Sequence, residues 1–264
     1  MCPPVYFGVH YVINPWMEGH IDGTSSAVAS AQWNELYRLL TAHTDVALLP
    51  PVTGLPDLVF TANAAVIKGK TAVLSSFRHK QRQAEEPHLQ TWLTGDGFQV
   101  HTLPRDLHFE GAGDALFDHG QLLLWFGHGI RSSARAVAHL EALLQIEVQP
   151  LTLLQSRFYH LDTCFCPLER GYLLYYPKAF DAASNQIIEA RVPAHQRLAV
   201  SDLDASNFAC NAINVGEEVI LHLASEPLKQ WLAERGFSVH ETPTSEFLMA
   251  GGSAKCLSLN LCQS

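Results

Sequence analysis

One structural phrase recurs five times along this chain, and the repetition limits its fold more than any single motif does. The phrase is an alternating β-rich run, a tight polar turn, a second run, a helical stretch, and a short third strand ending in a loop. A period of about 50 residues repeated in this way predicts a ring of similar units closed by its two ends. Short glycine-containing turns between β-rich runs mark the hairpin in each unit.

The first hairpin runs over 57–67, turns at Lys68-Gly69-Lys70 and returns over 71–74. The second runs over 109–117, turns at Asp118-His119-Gly120 and returns over 122–126. The third runs over 159–168, turns at Glu169-Arg170-Gly171 and returns over 172–176. The fourth runs over 210–215, turns at Gly216-Glu217-Glu218 and returns over 219–223. In the fifth, 255–259 is expected to pair with the N-terminal run 5–13, so that the ends of the chain close the ring. Helical patterns fall between the hairpins at 27–41, 81–93, 133–144, 185–191 and 227–235, the last capped by Ser225. Short strands are expected at 46–50, 98–104, 146–150, 198–200 and 237–243. No linker or low-complexity tract interrupts the chain. The expected fold is therefore α/β, a single domain over 1–264 built as a five-bladed, pseudo-symmetric ββαβ propeller.

A ring brings equivalent places in distant units together. If the first strand of each unit lines the centre, the residues that meet there are Asp57 and Asn63, Glu110 and Asp114, His160 and Asp162, Asn211 and Asn214, and Cys256. These are polar or ionisable where a core strand would carry Val or Leu. Buried charges cost several kcal/mol unless paired, so their convergence asks for a functional reason. Cys256 follows Gly251-Gly252-Ser253, a turn that lets the backbone approach another group closely. A lone cysteine is most often a small buried hydrophobe. Aligned with His160 and Glu110 from other repeats, Cys256 reads instead as a nucleophile, with His160 as acid and base and Glu110 orienting the imidazole. Asp162, two positions after His160, would share its strand face. Paired carboxylates suit a planar cation, because a guanidinium presents a fork of N–H donors; Asp57, Glu110, Asp162 and Asp114 would surround one. Arg131, in the glycine-rich turn Phe126-Gly127-His128-Gly129-Ile130-Arg131, could meet an α-carboxylate, with Arg78 a weaker second choice.

Composition narrows the class. Hydrophobic content of 47% with 16% charged residues describes a compact globular chain. A formal net charge of −9 argues against nucleic acid, which asks for a basic patch. The start of the chain carries no signal-peptide pattern and no apolar run reaches membrane-spanning length, so a cytoplasmic protein is expected. The six cysteines then read as free thiols. The fourteen histidines are scattered, with no Cys-x-x-Cys and no His-Glu-x-x-His, so neither a metal nor another cofactor is expected. The partner is a small molecule, and self-association is left open.

Together, Phe109-Glu110-Gly111-Ala112-Gly113-Asp114, His160-Leu161-Asp162 and Gly251-Gly252-Ser253-Ala254-Lys255-Cys256 resemble the guanidine-modifying, or pentein, superfamily over nearly the whole chain. That group includes arginine deiminases, dimethylarginine dimethylaminohydrolases and amidinotransferases. The resemblance implies a five-bladed ββαβ propeller in which Cys256 attacks the guanidinium carbon. His160 would protonate the departing amine and then activate water to release the thiouronium intermediate. Glu110 would be the catalytic glutamate, with Asp57, Asp162 and Asp114 as substrate-binding acids, Arg131 on the carboxylate, and Phe60 in the substrate-binding set.

One departure is informative. Asn63 stands where dimethylarginine hydrolases carry a second aspartate, and with Asn14 in Val12-Ile13-Asn14-Pro15-Trp16-Met17 this is similar to the arginine dihydrolase branch. Asparagine both donates and accepts, so it could hold a neutral ureido group for which an anion has little attraction. The expected activity is hydrolysis of arginine to ornithine, ammonia and carbon dioxide through citrulline. The alternatives are methylarginine hydrolysis or deimination stopping at citrulline, then an amidinotransferase, then a non-catalytic ring of the same architecture.

Overall fold

In the computed structural model, which describes residues 1–262, the repeat takes the form of four three-stranded sheets. They are β1 (Ala65–Lys68), β2 (Thr71–Leu74) and β3 (Gln99–His101); β4 (Ala115–Phe117), β5 (Leu123–His128) and β6 (Glu147–Thr152); β7 (Phe165–Leu168), β8 (Tyr172–Tyr175) and β9 (Arg197–Ala199); and β10 (Ile213–Val215), β11 (Glu218–Leu221) and β12 (Ser238–Glu241). Each has the same topology: an antiparallel hairpin whose second strand pairs in parallel with the third. Parallel pairing demands a crossover, and helices supply it.

Helix α1 (Ser26–Thr41) precedes the first sheet, with Ser25 accepting the Val28 N–H and Ala29, Gln32, Trp33, Leu36 and Leu40 forming its buried stripe. The first crossover contains α2 (Lys80–Gln83) and α3 (Glu86–Gly95), where one helix over 81–93 was expected; Pro87 stands in the first turn of the second. The others are α4 (Val137–Leu144), α5 (Ala182–Arg191) and, after the short α6 (Asp202–Ser206), α7 (Glu226–Ala233), capped by Ser225 as expected. A last short helix, α8 (Ser245–Leu248), leads to Gly251. Among the described residues, no helix is long and apolar enough to cross a membrane.

Among the described residues there is no fifth sheet. Residues 5–13 are irregular and Lys255–Leu257 is a turn of 3-10 helix, so the expected pairing of 255–259 with 5–13 is not made. The physical reason lies in the backbone donors. The Lys255 N–H is given to the Asn211 carbonyl and the Cys256 N–H to the Asn211 side chain, which removes both from a ladder. The stretch 46–50, also expected as a strand, takes its backbone hydrogen bonds from Met1 instead of from a sheet: the Met1 amine donates to the Ala47 carbonyl at 3.0 Å, and the Met1 carbonyl accepts the Leu49 N–H at 2.8 Å.

The polar starts of the expected first strands are also not strands. They fold as single 3-10 turns: Pro56–Val59 and Thr61–Asn63 before β1, Gly111–Gly113 before β4, and Leu161–Thr163 before β7. Short polar side chains bond to nearby backbone and compete with a ladder, as Ser75 does with the Asn63 carbonyl and Thr163 with the His160 carbonyl. His160 and Asp162 therefore do not share a strand face; one precedes a turn and the other lies within it.

The apolar core is divided among interfaces between successive units. Val66 and Val73 pack with Leu124, Phe126 and Leu140; Trp125 packs with Phe165, Leu174 and Val219; Ile213 and Ile220 pack with Trp33, Leu36 and Phe247; and Cys2 and Leu49 pack with Ile67, Leu74 and Leu89. A cavity of about 500 Å³ touches Val66, Ala115, Phe165 and Ile213 from the first strands of all four sheets, together with Leu259. The 3-10 turns crowd toward one another across the molecule, and the ionisable residues gather on them.

Candidate active site

Glu110, immediately before the turn Gly111–Gly113, is completely buried, and three groups converge on its carboxylate. His160 Nε2 lies 2.7 Å from Oε2, Arg131 Nη1 donates to the same oxygen at 2.8 Å, and the Arg78 backbone N–H donates to Oε1 at 3.2 Å. Burial alone would raise the Glu110 pKa, but the Arg131 guanidinium and the His160 bond outweigh it and hold the group ionised, well below the usual carboxylate range. Burial pushes His160 down to about 4 against the support of Glu110, so the imidazole is neutral near pH 7. A carboxylate has no proton to give, so Nε2 carries the hydrogen and Nδ1 the free lone pair.

Nδ1 faces Asn63 Nδ2 at 3.5 Å. Asn63 also donates to the Glu110 carbonyl at 3.3 Å and accepts from Arg82 Nη1 at 2.8 Å. Gly113 makes this approach possible, since a Cβ there would lie 2.2 Å from Asn63 Nδ2 and 3.3 Å from the His160 ring. Arg82 is fully enclosed, stacked over Phe77 and held by two bonds of 2.8 Å to Glu85. The charges of Glu85 and Asp57 outweigh the burial that opposes its protonation, and it stays a cation.

Cys256 lies on the turn Lys255–Leu257 and is 2% exposed. Asn211 holds it from one side, with Nδ2 3.1 Å from Sγ and Oδ1 accepting the Cys256 N–H at 3.2 Å. Its thiol points to Asp162 Oδ2 at 3.5 Å. Burial and then the Asp162 charge push the thiol pKa up, so the resting group is S–H. Burial also raises Asp162, to about 7, against the pull of Lys255. Among the described residues, Asp162 Oδ1 and Asp57 Oδ1 are the two buried carboxylate oxygens with no hydrogen-bond partner. Asp57 Oδ2 accepts from Tyr11 at 2.8 Å, and burial raises its pKa. Two buried acid groups thus offer free lone pairs, one beside the thiol and one across a small cavity from it.

That cavity, about 10 Å³, is walled by Asn14, Asp57, Phe60, Asn63, Arg131 and Cys256 among others. Six residues expected at the site therefore line it together, and Glu110, His160 and Asp162 each contact one of them, Arg131, Asn63 and Cys256 respectively. Asn14 is also structural: its Oδ1 accepts the Trp16 N–H and its Nδ2 donates to the Ala250 carbonyl. The glycine turn before Cys256 behaves as expected. Gly251 has φ +84°, and a Cβ there would lie 2.8 Å from Asn14 Oδ1 and 2.9 Å from the Tyr159 hydroxyl.

Asp114 is a correction. It does not reach the cavity, because Oδ2 accepts from Ser132 Oγ at 2.6 Å and Oδ1 accepts the Leu161 N–H at 3.0 Å. Its place is to tie the second unit to the turn that carries His160 and Asp162. Arg131 is only partly as expected: it lines the cavity but spends Nη1 on Glu110 and Nη2 on the Ile13 carbonyl, with its plane over Tyr159. Arg78 turns its guanidinium outward, to the Ile130 carbonyl. Asn211 is among the residues expected at the centre, though with no role assigned, and the structure sets it on Cys256. Two further participants carry little sequence signal. Arg82 reads as a helix-surface charge, and only Glu85 three residues on hints at its pairing. Tyr159, whose hydroxyl donates to the Gly251 carbonyl at 2.6 Å, had no signal beyond its place next to His160.

Comparison with known proteins follows the same lines. A family model described as N,N dimethylarginine dimethylhydrolase, eukaryotic, matches residues 17–263. The chain is 54% identical over 261 residues to the bifunctional arginine dihydrolase/ornithine cyclodeaminase ArgZ of Synechocystis sp., covering 99% of this chain and 37% of that protein. It thus spans little more than a third of the bifunctional relative. It is 36% identical over 263 residues to the N(G),N(G)-dimethylarginine dimethylaminohydrolase of Mycobacterium tuberculosis, covering 99% and 84% of the two chains. The crystal structure of the N-terminal domain of ArgZ bound to substrate superposes with a TM-score of 0.99 at 53% identity, covering 100% of this chain and 97% of that one.

Proposed function

The chain belongs to the dimethylarginine dimethylaminohydrolase family, in the branch of the guanidine-modifying enzymes that includes the arginine dihydrolases, and we propose that it hydrolyses arginine to ornithine, ammonia and carbon dioxide by way of citrulline. The observation that carries this reading is the buried thiol of Cys256 set against Asp162, with Asp57 on the same cavity and both acids holding an unpartnered oxygen.

A guanidinium between Asp57 and Asp162 adds positive charge to that of Arg82 and Lys255, which burial outweighs at these acids, and so favours their ionised forms. Beside Sγ the same charge lowers the cost of the thiolate. The thiol proton passes to Nδ1 of the neutral His160, and the resulting imidazolium is steadied by Glu110. Sulfur adds to the guanidinium carbon, and that same proton goes on to the departing amine as the C–N bond breaks. With ammonia gone, the again neutral imidazole takes a proton from water, which attacks the thiouronium carbon; the C–S bond then breaks and a proton returns to Cys256. The first round consumes one water and yields citrulline and ammonia. A second round on the ureido group consumes another and yields ornithine, ammonia and carbon dioxide. Asn63, with both a donor and an acceptor, suits the neutral second substrate. Arg131, which lines the cavity, would meet the α-carboxylate.

The finer fold belongs to the same reading: one domain, a five-bladed pentein ring in which residues 1–49 and 255–262 complete the fifth unit without forming a sheet. It is supported by the succession of core interfaces that passes from the first sheet to the fourth and back through the chain ends. Five buried free cysteines fit a reducing cytoplasm.

Incubation of the purified chain with arginine, followed by mass spectrometry, tests the proposal. Ornithine must accumulate and citrulline must be consumed when supplied alone; citrulline as the end product would leave a deiminase. Methylarginine hydrolysis is the second reading, favoured by the 36% identity to the mycobacterial enzyme. Competition between arginine and dimethylarginine decides it, by the ratio of their kcat/KM values.

A further inference from the structure

Away from the catalytic turns, two histidines and a glutamate from distant parts of the chain meet on the surface. They are His43, Glu218 and His240, and one potential ligand atom from each lies within 4.8 Å of the others. We propose that these three residues bind a divalent transition metal ion of the zinc type, which pins the end of α1 to the fourth sheet.

The placement follows from elements already described. In the parallel pair β11–β12, Glu218 is in register with Ser238 and Ile220 with His240, so Glu218, Ile220 and His240 project from one face. That face is turned toward α1, because Ile220 is buried in the same cluster as Trp33, Leu36 and Leu40. His43 stands two residues beyond the end of α1, and its ring lies 5.6 Å from that of His240. A buried interface thus delivers three side chains to one point at its edge. His240 Nε2 is hydrogen-bonded to Glu218 Oε2, which already turns two donor atoms toward each other.

The ligand chemistry selects the ion. Imidazole nitrogens with one carboxylate suit zinc, cobalt, nickel or copper, whereas calcium and magnesium want an all-oxygen shell. Bonds of about 2.0–2.1 Å in a tetrahedral site place ligand atoms roughly 3.3 Å apart. Closing from 4.8 Å to that spacing asks for small side-chain rotations, which the exposed His43 can make. Three protein ligands leave one position for water. None of the three touches the catalytic cavity. The ion would instead brace α1, which holds the segment before Cys256 through Gln32 to Ser245 and Ser25 to Glu246.

The test is titration of the intact chain with Co²⁺ and with Zn²⁺, read by calorimetry, by the visible Co²⁺ spectrum and by thermal unfolding. Expected are one equivalent bound with a dissociation constant on the order of micromolar, a four-coordinate Co²⁺ spectrum without thiolate charge transfer, and an unfolding midpoint raised by about 5 °C at a hundredfold excess of metal over that constant. His43→Ala and His240→Ala must each abolish the binding, and Cys256→Ser must leave it intact. His43→Ala, on an exposed turn, should melt like the wild type without metal, which separates loss of a ligand from loss of fold. Binding that survives both histidine substitutions, or none that saturates below millimolar metal, overturns the proposal.

Discussion

Asn211 holds Cys256 at two points, with Nδ2 3.1 Å from the sulfur and Oδ1 accepting the cysteine's own N–H at 3.2 Å. One amide side chain therefore fixes both where the nucleophile's backbone sits and where its sulfur points. Removing it with Asn211→Ala costs a hydrogen bond to the developing thiolate, about 1.5–3 kcal/mol, which is about 10- to 150-fold in kcat. KM for arginine should change little, because Asn211 does not line the substrate cavity. Steady-state kinetics and the rate of Cys256 alkylation by a haloacetamidine check this. An unchanged alkylation rate would show that the 3-10 turn alone places the sulfur.

Asp162 sets the pH response. Burial raises it to about 7, so below neutrality it is a neutral acid with little attraction for a guanidinium, and above neutrality a carboxylate. The value of kcat/KM for arginine should climb through about pH 7, and Asp162→Asn should flatten that limb as well as lower it. The stability effect has a definite sign. A raised folded pKa contributes stability at low pH that is lost as the pH rises from 3.8 through about 7. His160, lowered from 6.5 to about 4, contributes the opposite slope, present above 6.5 and lost as the pH falls through 4. The two offset each other between about pH 4 and 6.5, which leaves the cost of charged Asp162 in force at pH 8. Asp162→Asn should therefore be more stable than wild type at pH 8, by on the order of 1–4 kcal/mol in urea unfolding, while nearly inactive.

Glu110→Gln tests the orientation of the imidazole. The amide can still accept from His160 Nε2, so geometry is retained, but the charge that supports an imidazolium and balances Arg131 is gone. A fall in kcat of about 10³–10⁴ is expected by analogy with neutralising the acid of a catalytic triad. Leaving Arg131 buried without its partner should cost about 3–5 kcal/mol. Adding Arg131→Met should restore most of that stability and none of the activity, which separates the two roles.

The extent to which this molecule could be read from its sequence follows the physics of each signal. Hairpins β1–β2, β4–β5, β7–β8 and β10–β11 were legible because alternation and a tight turn are local. Cys256, His160 and Glu110 were legible as a set because the repeat aligns them. The fifth hairpin was not, because Asn211 removes the donors of Lys255 and Cys256 from any ladder, and that capture joins residues 44 and 45 positions apart. Asp114 looked like a substrate ligand because charge at a repeat position is visible, whereas Ser132 and the Leu161 N–H that consume it are not. Arg82 was missed for the converse reason: a charge on a helix reads as solvated until tertiary structure encloses it.

Asn63 should decide whether the reaction stops after one hydrolysis. Its amide nitrogen faces two acceptors, the Glu110 carbonyl and His160 Nδ1, while its oxygen takes the Arg82 donor. In Asn63→Asp the Arg82 bond survives and strengthens, but a carboxylate oxygen now confronts both acceptors. The way to relieve that clash at His160 is to protonate Nδ1, which raises the imidazole pKa and removes the lone pair that would take a proton from water. A guanidinium substrate gains from the added anion and loses from the weakened base, so kcat/KM for arginine should fall modestly. The neutral ureido group of citrulline gains nothing and suffers the full loss. Citrulline should therefore accumulate, with the ornithine-to-citrulline ratio falling at least about tenfold, equivalent to 1.4 kcal/mol of selective destabilisation of the second transition state. Separate kinetics on arginine and on citrulline, together with the product ratio by mass, measure this. If both substrates lose the same factor, Asn63 acts only through the shape of the site, and the preference for the second step must reside in Asn14 or Asp57 instead.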